Sequence, residues 1–232
     1  MRLAFHLPEI EQSRLEQQLA QFQVDFSTSL RLYWTAQRKR MAIFVSRESH
    51  CLFELLWKRQ YGELDVDIPL IISNHPDHAE AVERMGYPFM HIPVDKAHKE
   101  HTEAQQLELV DQVDFIVLAR YMQILTPAFI TTFGRPIINI HHSFLPAFVG
   151  ARPYERAYER GVKIIGATAH YVTAELDAGP IIEQDVQRVE HSHTVPELKA
   201  FGRQIERSVL ARAVAWHVED RVIIHDNKTI VF

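Results

Sequence analysis

Phe115-Ile-Val-Leu-Ala-Arg-Tyr-Met-Gln-Ile-Leu-Thr-Pro-Ala-Phe-Ile-Thr-Thr-Phe-Gly-Arg-Pro-Ile-Ile-Asn-Ile-His141 holds a strand, a helix and a second strand in succession. Phe115–Ala119 is a short apolar run of the length a buried strand needs. Thr126-Pro127 places a capping hydroxyl and a proline at a helix start, and Gly134 stops that helix. Ile137–Ile140 is the next strand. The same alternation extends upstream, with strands expected at Met41–Val45, Ile68–Ile72 and Phe89–Ile92. Between them lie amphipathic stretches carrying Leu52, Leu55 and Leu56, then Ala79, Val82 and Met85. Strand and helix in alternation imply an α/β, Rossmann-like fold: a mostly parallel twisted sheet with helices on both faces. Such sheets bind ligands beyond the carboxyl ends of their strands.

Downstream of Gly161 the pattern changes. Val162–Val172 and Ile181–Val189 are extended runs separated by the turn Leu176-Asp-Ala-Gly-Pro180, with no helix between them, so they are expected to pair antiparallel at one edge. Thr194-Val-Pro-Glu197 has capping-box spacing. Leu198, Phe201, Ile205, Val209, Ala213 and Trp216 follow at helical period and read as core packing. The first 38 residues differ. A strand at Leu3–Leu7, a helix with Leu15, Leu19 and Phe22 on one face, and a strand at Val24–Tyr33 form a fragment too small to stand alone. It is expected either to dock on the main domain or to pair with another chain, which favours a homo-oligomer.

The totals exclude several classes. The 232 residues are 47% hydrophobic and 24% charged, ordinary for a soluble domain. A formal net charge of −5 argues against a nucleic-acid surface. Arg38-Lys39-Arg40, the one basic run, reads as a solvated linker. The single Cys51 excludes an intrachain disulfide framework and a multi-cysteine zinc site. No window has the apolar length of a membrane span and no signal peptide is visible, so the cytoplasm is the expected location. The chain has 14 histidines, which raises a metal site. His75 and His78, His98 and His101, and His191 and His193 are the close pairs. None has the spacing that sets two imidazoles and a general base on one helical face, so they read as surface or locally bonded histidines, and no metal is expected.

Asn139 and His141 stand two apart on the strand Ile137-Ile-Asn-Ile-His141, which puts both side chains on one face and Ile138 and Ile140 on the other. Taken alone, Asn139 reads as a loop cap and His141 as a satisfied core histidine. Asp177 changes the balance. An amide, an imidazole and a carboxylate in strand-end loops can polarise a carbonyl, hold its oxyanion and move a proton.

Three ordered motifs carry a resemblance: Asn139-Ile-His-His-Ser-Phe-Leu-Pro146, Gly166-Ala-Thr-Ala-His-Tyr-Val172 and Asp177-Ala-Gly-Pro-Ile-Ile182. From about Met41 onward the chain resembles the folate-dependent formyltransferases. The double histidine His141-His142 and Phe148-Val-Gly-Ala-Arg-Pro-Tyr154 look most like the hydrolytic, deformylating branch. There, an amino-terminal ACT domain of ferredoxin-like α+β fold precedes the catalytic domain, and residues 1–38 resemble only its second half, with 39–232 as catalytic domain.

The resemblance implies a substrate, 10-formyltetrahydrofolate, and no separate cofactor. It implies catalytic roles for Asn139, His141 and Asp177. It also implies folate contacts from the walls Leu118, Met122 and Leu125, from Gln123, from Gly150, and from the backbone at Ala174, Glu175 and Leu176. For Met122 and Leu125, plain core packing is the competing reading.

Transformylases with a phosphorylated acceptor follow the first strand with a glycine-rich turn. Here that place reads Ser46-Arg-Glu-Ser-His-Cys51, without glycine and with an added carboxylate, so water is the expected acceptor. Two other readings stay open: a formyltransferase with an unrecognised acceptor, and a non-catalytic folate-binding or amino-acid-sensing protein.

Overall fold

The computed structural model describes residues 2–3, 12–28, 30–34, 37–146 and 152–232. The chain divides into two compact units, residues 1–37 and 38–231. In the second, β1 (Lys39–Val45), α2 (His50–Gln60), β2 (Val66–Ser73), α3 (Ala79–Arg84), β3 (Phe89–His91), α4 (Lys99–Leu109), β4 (Phe115–Ala119), α5 (Pro127–Phe133) and β5 (Ile137–His141) alternate as the sequence pattern requires. Then come α6 (Pro153–Glu159), β6 (Ile164–Tyr171), β7 (Ile181–Arg188), α7 (Val195–Val218) and a hairpin of β8 (Val222–His225) and β9 (Lys228–Val231). The first unit contributes α1 (Gln12–Asp25).

One seven-stranded sheet has the order β3-β2-β1-β4-β5-β6-β7. Its pairs from β3 to β5 are parallel, while β6 runs antiparallel to both β5 and β7. The expected antiparallel edge is therefore present. Side-chain alternation divides the core in two. Ile138 and Ile140 of β5 join Leu52, Leu55 and Leu56 of α2 and Leu198, Val209 and Ala213 of α7 on one face. Ile137, of opposite parity, joins Phe44, Leu118, Phe129 and Phe133 on the other. Asn139 and His141 share the parity of Ile137, so they point away from α7.

The helix ends follow local chemistry. Thr126 accepts from Phe129 N–H through its hydroxyl, and Gly134 leaves α5 at φ 61°. At the start of α7, the Glu197 carboxylate takes both the backbone N–H (2.7 Å) and the hydroxyl (2.8 Å) of Thr194.

Two expectations need correction. Val24–Tyr33 is not a strand among the described residues. Val24 and Asp25 finish α1, Ser27 turns at φ 47°, and the groups a ladder would have used make local bonds, Phe26 N–H to Phe22 O and Thr28 N–H to Gln23 O. The β-branched and aromatic composition was outweighed because no neighbouring strand pairs with it there. Most of Leu3–Leu7 lies outside the described residues. Arg38-Lys39-Arg40 is solvated at Arg38 and Arg40, as expected, but Lys39 and Arg40 belong to a strand and not to a linker. Lys39 opens β1 and its ammonium binds Val218 O at 2.8 Å and Asp220 at 2.7 Å, while Arg38 pairs with Asp65. Lys39 thus ties the first strand to the end of α7. No helix among the described residues is long and apolar enough to cross a membrane.

Candidate active site

Asp177 reaches the site by an indirect route. Because β6 is antiparallel, its last residue, Tyr171, stands opposite Ile138, and residues 172–180 start beside the beginning of β5. That loop then folds back over the face bearing Asn139 and His141. Three contacts hold it: Val172 N–H to Ile137 O (2.8 Å), Tyr171 N–H to Pro180 O (2.9 Å), and Asn227 of the β8–β9 turn donating to Ala178 O (3.0 Å). A Cβ on Gly179 would lie 1.9 Å from Tyr171 O, so only glycine allows this approach. Asp177 itself has φ 55°, a left-handed conformation that aspartate tolerates better than most residues.

The carboxylate engages two rings, His141 Nδ1 at 3.2 Å and His170 Nε2 at 3.6 Å. The His141 hydrogen bond is the largest of the influences that hold the Asp177 carboxyl well below the usual range against the opposing effect of burial. His170 is buried and its Nδ1 meets the Tyr171 carbonyl at 2.9 Å, so Nδ1 carries the proton. With that proton on Nδ1, Nε2 is the acceptor for Asn139 Nδ2 at 3.2 Å, and it faces the Asp177 carboxylate only at 3.6 Å. The second N–H of Asn139 is left for a ligand. His141 is 6% exposed, and its Nε2 has no hydrogen-bond partner among the described residues. A buried, unsatisfied ring nitrogen beside a half-used amide, with a carboxylate behind the ring, suits the binding of a carbonyl oxygen. His170 escaped the sequence reading as a functional residue. It lies in the quoted motif, but only the antiparallel register sets it opposite Asn139.

A second charged cluster lies beside the first. Glu206 of α7 is 1% exposed. Its carboxylate takes Tyr154 OH at 2.6 Å and His50 Nε2 at 2.8 Å, and it lies 3.3 Å from Arg120 Nε. Burial alone would raise the Glu206 carboxyl, but the His50 bond, the Arg120 charge and the Tyr154 bond outweigh it and hold the group below its ordinary value. Arg120 also donates to His142 Nδ1. The His142 ring stacks on that of His141, with centroids 5.2 Å apart and planes at 23°. Burial first, and then the Arg120 charge, lower His142 to about 4. His50, Cys51 and Glu206 bring their ligand atoms within 4.8 Å of one another. However, Arg120 holds a positive charge against the same carboxylate oxygen, and burial pushes the Cys51 thiol up, so this set favours internal pairing over a metal ion.

The expected folate residues divide. Leu118 and Leu125 are buried in the face cluster around Phe129, which is core packing. Met122 and Leu176 are 56% and 57% exposed, and Ala174 and Glu175 are exposed with them. Gly150 lies outside the described residues. Gln123 and Leu125 border a small, partly open recess shared with Lys99, Glu103 and Gln106 of α4, which the sequence reading did not single out. That recess does not include Asn139, His141 or Asp177.

The first loop is occupied by its own contacts. Ser46 Oγ donates to Asn74 and accepts Met122 N–H, Arg47 O meets His78 Nε2 at 3.0 Å, and Glu48 lies 3.6 Å from His50 Nδ1. Of the histidine pairs, His98 bonds Asp95 and His193 accepts Glu190 N–H, both local contacts.

Residues 39–214 match the family described as Formyl transferase. A formyltetrahydrofolate deformylase of Bacillus subtilis (strain 168) is 55% identical over 236 residues, covering 100% of this chain and 79% of that protein. The crystal structure of a formyltetrahydrofolate deformylase from Pseudomonas syringae pv. tomato superposes with a TM-score of 0.93 at 50% identity, over 96% of this chain and 76% of that one. A glycinamide ribonucleotide transformylase 1 structure from Symbiobacterium toebii gives a TM-score of 0.79 at 29% identity, over 88% and 98% of the respective chains.

Proposed function

The chain belongs to the formyl transferase family, and we infer that it is its hydrolytic form, cleaving 10-formyltetrahydrofolate to tetrahydrofolate and formate. The enzyme is thus a hydrolase acting on a C–N bond, and its product formate serves one-carbon and purine metabolism. The observation that carries the site is the buried, unpartnered Nε2 of His141 beside the free N–H of Asn139. Both donors meet at the formyl oxygen, with His141 entering as imidazolium. Asp177, ionised and bonded to Nδ1, stabilises that charge and orients the ring.

Water attacks the formyl carbon, and the oxyanion forms between the two donors. A proton of the attacking water passes by way of Asp177 to N10. The C–N10 bond then breaks, tetrahydrofolate leaves with its amine neutral, and the former water oxygen departs in formate. Met122, Gln123 and the backbone at residues 174–176 supply folate contacts. The exposure of Met122 and Leu176 supports this for the apolar walls, whereas Leu118 and Leu125 act from beneath as packing. No metal enters the scheme, since two hydrogen-bond donors do a Lewis acid's work. Activity is expected to survive exhaustive chelation.

Formate release from 10-formyltetrahydrofolate without any added acceptor tests the assignment. Steady release is expected. Formate appearing only with an amine acceptor would make the protein a transferase.

On the same footing we read residues 1–37 as related to the second half of an ACT module, supported by α1 alone. We place the protein in the cytoplasm as a homo-oligomer, supported by the exposed Phe22, Val24 and Phe26 of that unit. Light scattering at micromolar concentration checks the last point.

A further inference from the structure

The buried cluster around Glu206 has features that packing alone would not select. Arg120 adopts φ 62°, a left-handed conformation that is strained for a long side chain. Gly202 interrupts the middle of α7, where alanine would be the better helix former. A Cβ there would lie 1.9 Å from the Tyr154 hydroxyl oxygen, so the glycine is what lets Tyr154 cross the helix to Glu206. Glu206 itself is a charge out of water, which is unfavourable unless fully paired. Each of these features serves one result, the placement of the Arg120 guanidinium against His142.

A guanidinium cannot accept a hydrogen bond, so the His142 nitrogen facing it must be the unprotonated one. The ring's proton therefore sits on Nε2, and a second proton has no place to go while Arg120 is there. The groups facing His142 act in both directions. Glu206 from α7 and Asp177 from the loop at 172–180 would favour a charged ring, while Arg120 at the end of β4 and the stacked His141 oppose it. Tyr154 of α6 lies against the ring at 6.3 Å, with its hydroxyl turned to Glu206. His50, from α2, is bonded to Glu206 on its far side.

We propose that Arg120, anchored on Glu206, is a positioning residue: it blocks Nδ1 of His142, so that of the two stacked imidazoles only His141 carries the proton presented to the formyl oxygen. This rests on the hydrolytic reading above. Asp177 draws the proton to His141 from one side, and Arg120 denies it to His142 from the other. Without that denial, a proton on His142 would repel the one on His141 and leave the oxyanion site with a neutral ring.

Histidine-selective ¹⁵N NMR on the intact protein tests this without relying on turnover. His142 is expected as the neutral Nε2–H tautomer from about pH 8 down to about pH 5.5. A doubly protonated His142, or a proton on its Nδ1, anywhere in that range overturns the proposal. In Arg120→Gln the ring at 142 is expected to titrate at least about one unit higher, with about a tenfold loss in kcat near neutral pH and KM within about twofold. Arg120→Lys, which keeps a cationic donor, is expected to restore the neutral ring. An Arg120→Gln protein whose His142 titration is unmoved, or whose loss lies wholly in KM, also refutes it. If the unmodified protein releases no formate, the hydrolytic reading fails, while the NMR still decides where the proton sits.

Discussion

Asn139 carries two N–H groups and uses one of them on His170, a division of labour that makes its replacement costly. Losing one oxyanion donor lowers turnover by about 10²–10³. Asn139→Ala and His141→Ala are each expected to fold and to lose formate release on that scale, measured at saturating folate. Asp177→Asn is expected to do at least as much harm, because it leaves His141 without its anionic partner.

The Asp177 carboxyl is held low, so its contribution to stability is complete above the ordinary carboxylate range and is lost only as pH falls through the depressed value. The destabilisation caused by Asp177→Asn is therefore expected to be still present at about pH 5 and to vanish only in stronger acid, as urea midpoints of the two proteins would show. These three residues were legible in the sequence because strand parity aligns two of them and motif order supplies the third. His170, Arg120 and Glu206 were not legible as site residues. Their meeting depends on an antiparallel register and on a helix residue, Glu206, that lies 65 positions after His141, separations that periodicity does not encode.

Among the elements, the loop at 172–180 is the one whose backbone decides function. Gly179→Ala drives a methyl group into the Tyr171 carbonyl. It is expected to displace Asp177 and abolish most activity, while the α7 and β1 amides keep their hydrogen-exchange protection. Asn227→Ala removes one tether to Ala178 and should give a milder loss in kcat, with unchanged far-UV circular dichroism. The alternating strands and the α5 and α7 caps were readable because each is specified locally, by a proline, a glycine or a capping hydroxyl. Val24–Tyr33 misled for the opposite reason. Strand composition is a statement about a ladder, and no described residue of that segment lies in a strand.

Across the whole molecule, buried neutral histidines set the response to acid. Burial, joined by the Lys39 charge, lowers His217 to about 4, the same value to which His142 is held. The unfolded chain takes up protons at these positions as pH drops through the ordinary histidine range, whereas the native state refuses them until about pH 4. Stability is therefore full above that range and falls on the way down, by about 1–2 kcal/mol per ring at about pH 5 once partial exposure is allowed for. Denaturation midpoints at two pH values, for the protein and for His217→Phe, would measure this.

The buried ion cluster around Glu206 has a consequence of another kind, for how this protein can change by descent. Removing Glu206 alone leaves the buried Arg120 with only the His142 ring to bond, and removing Arg120 alone strands Glu206 with a histidine and a phenol. Enlarging Gly202 unseats Tyr154. Losing any one partner therefore leaves another unmatched, so related sequences are expected to change residues 120, 154, 202 and 206 in concert unless the charge at 120 is kept.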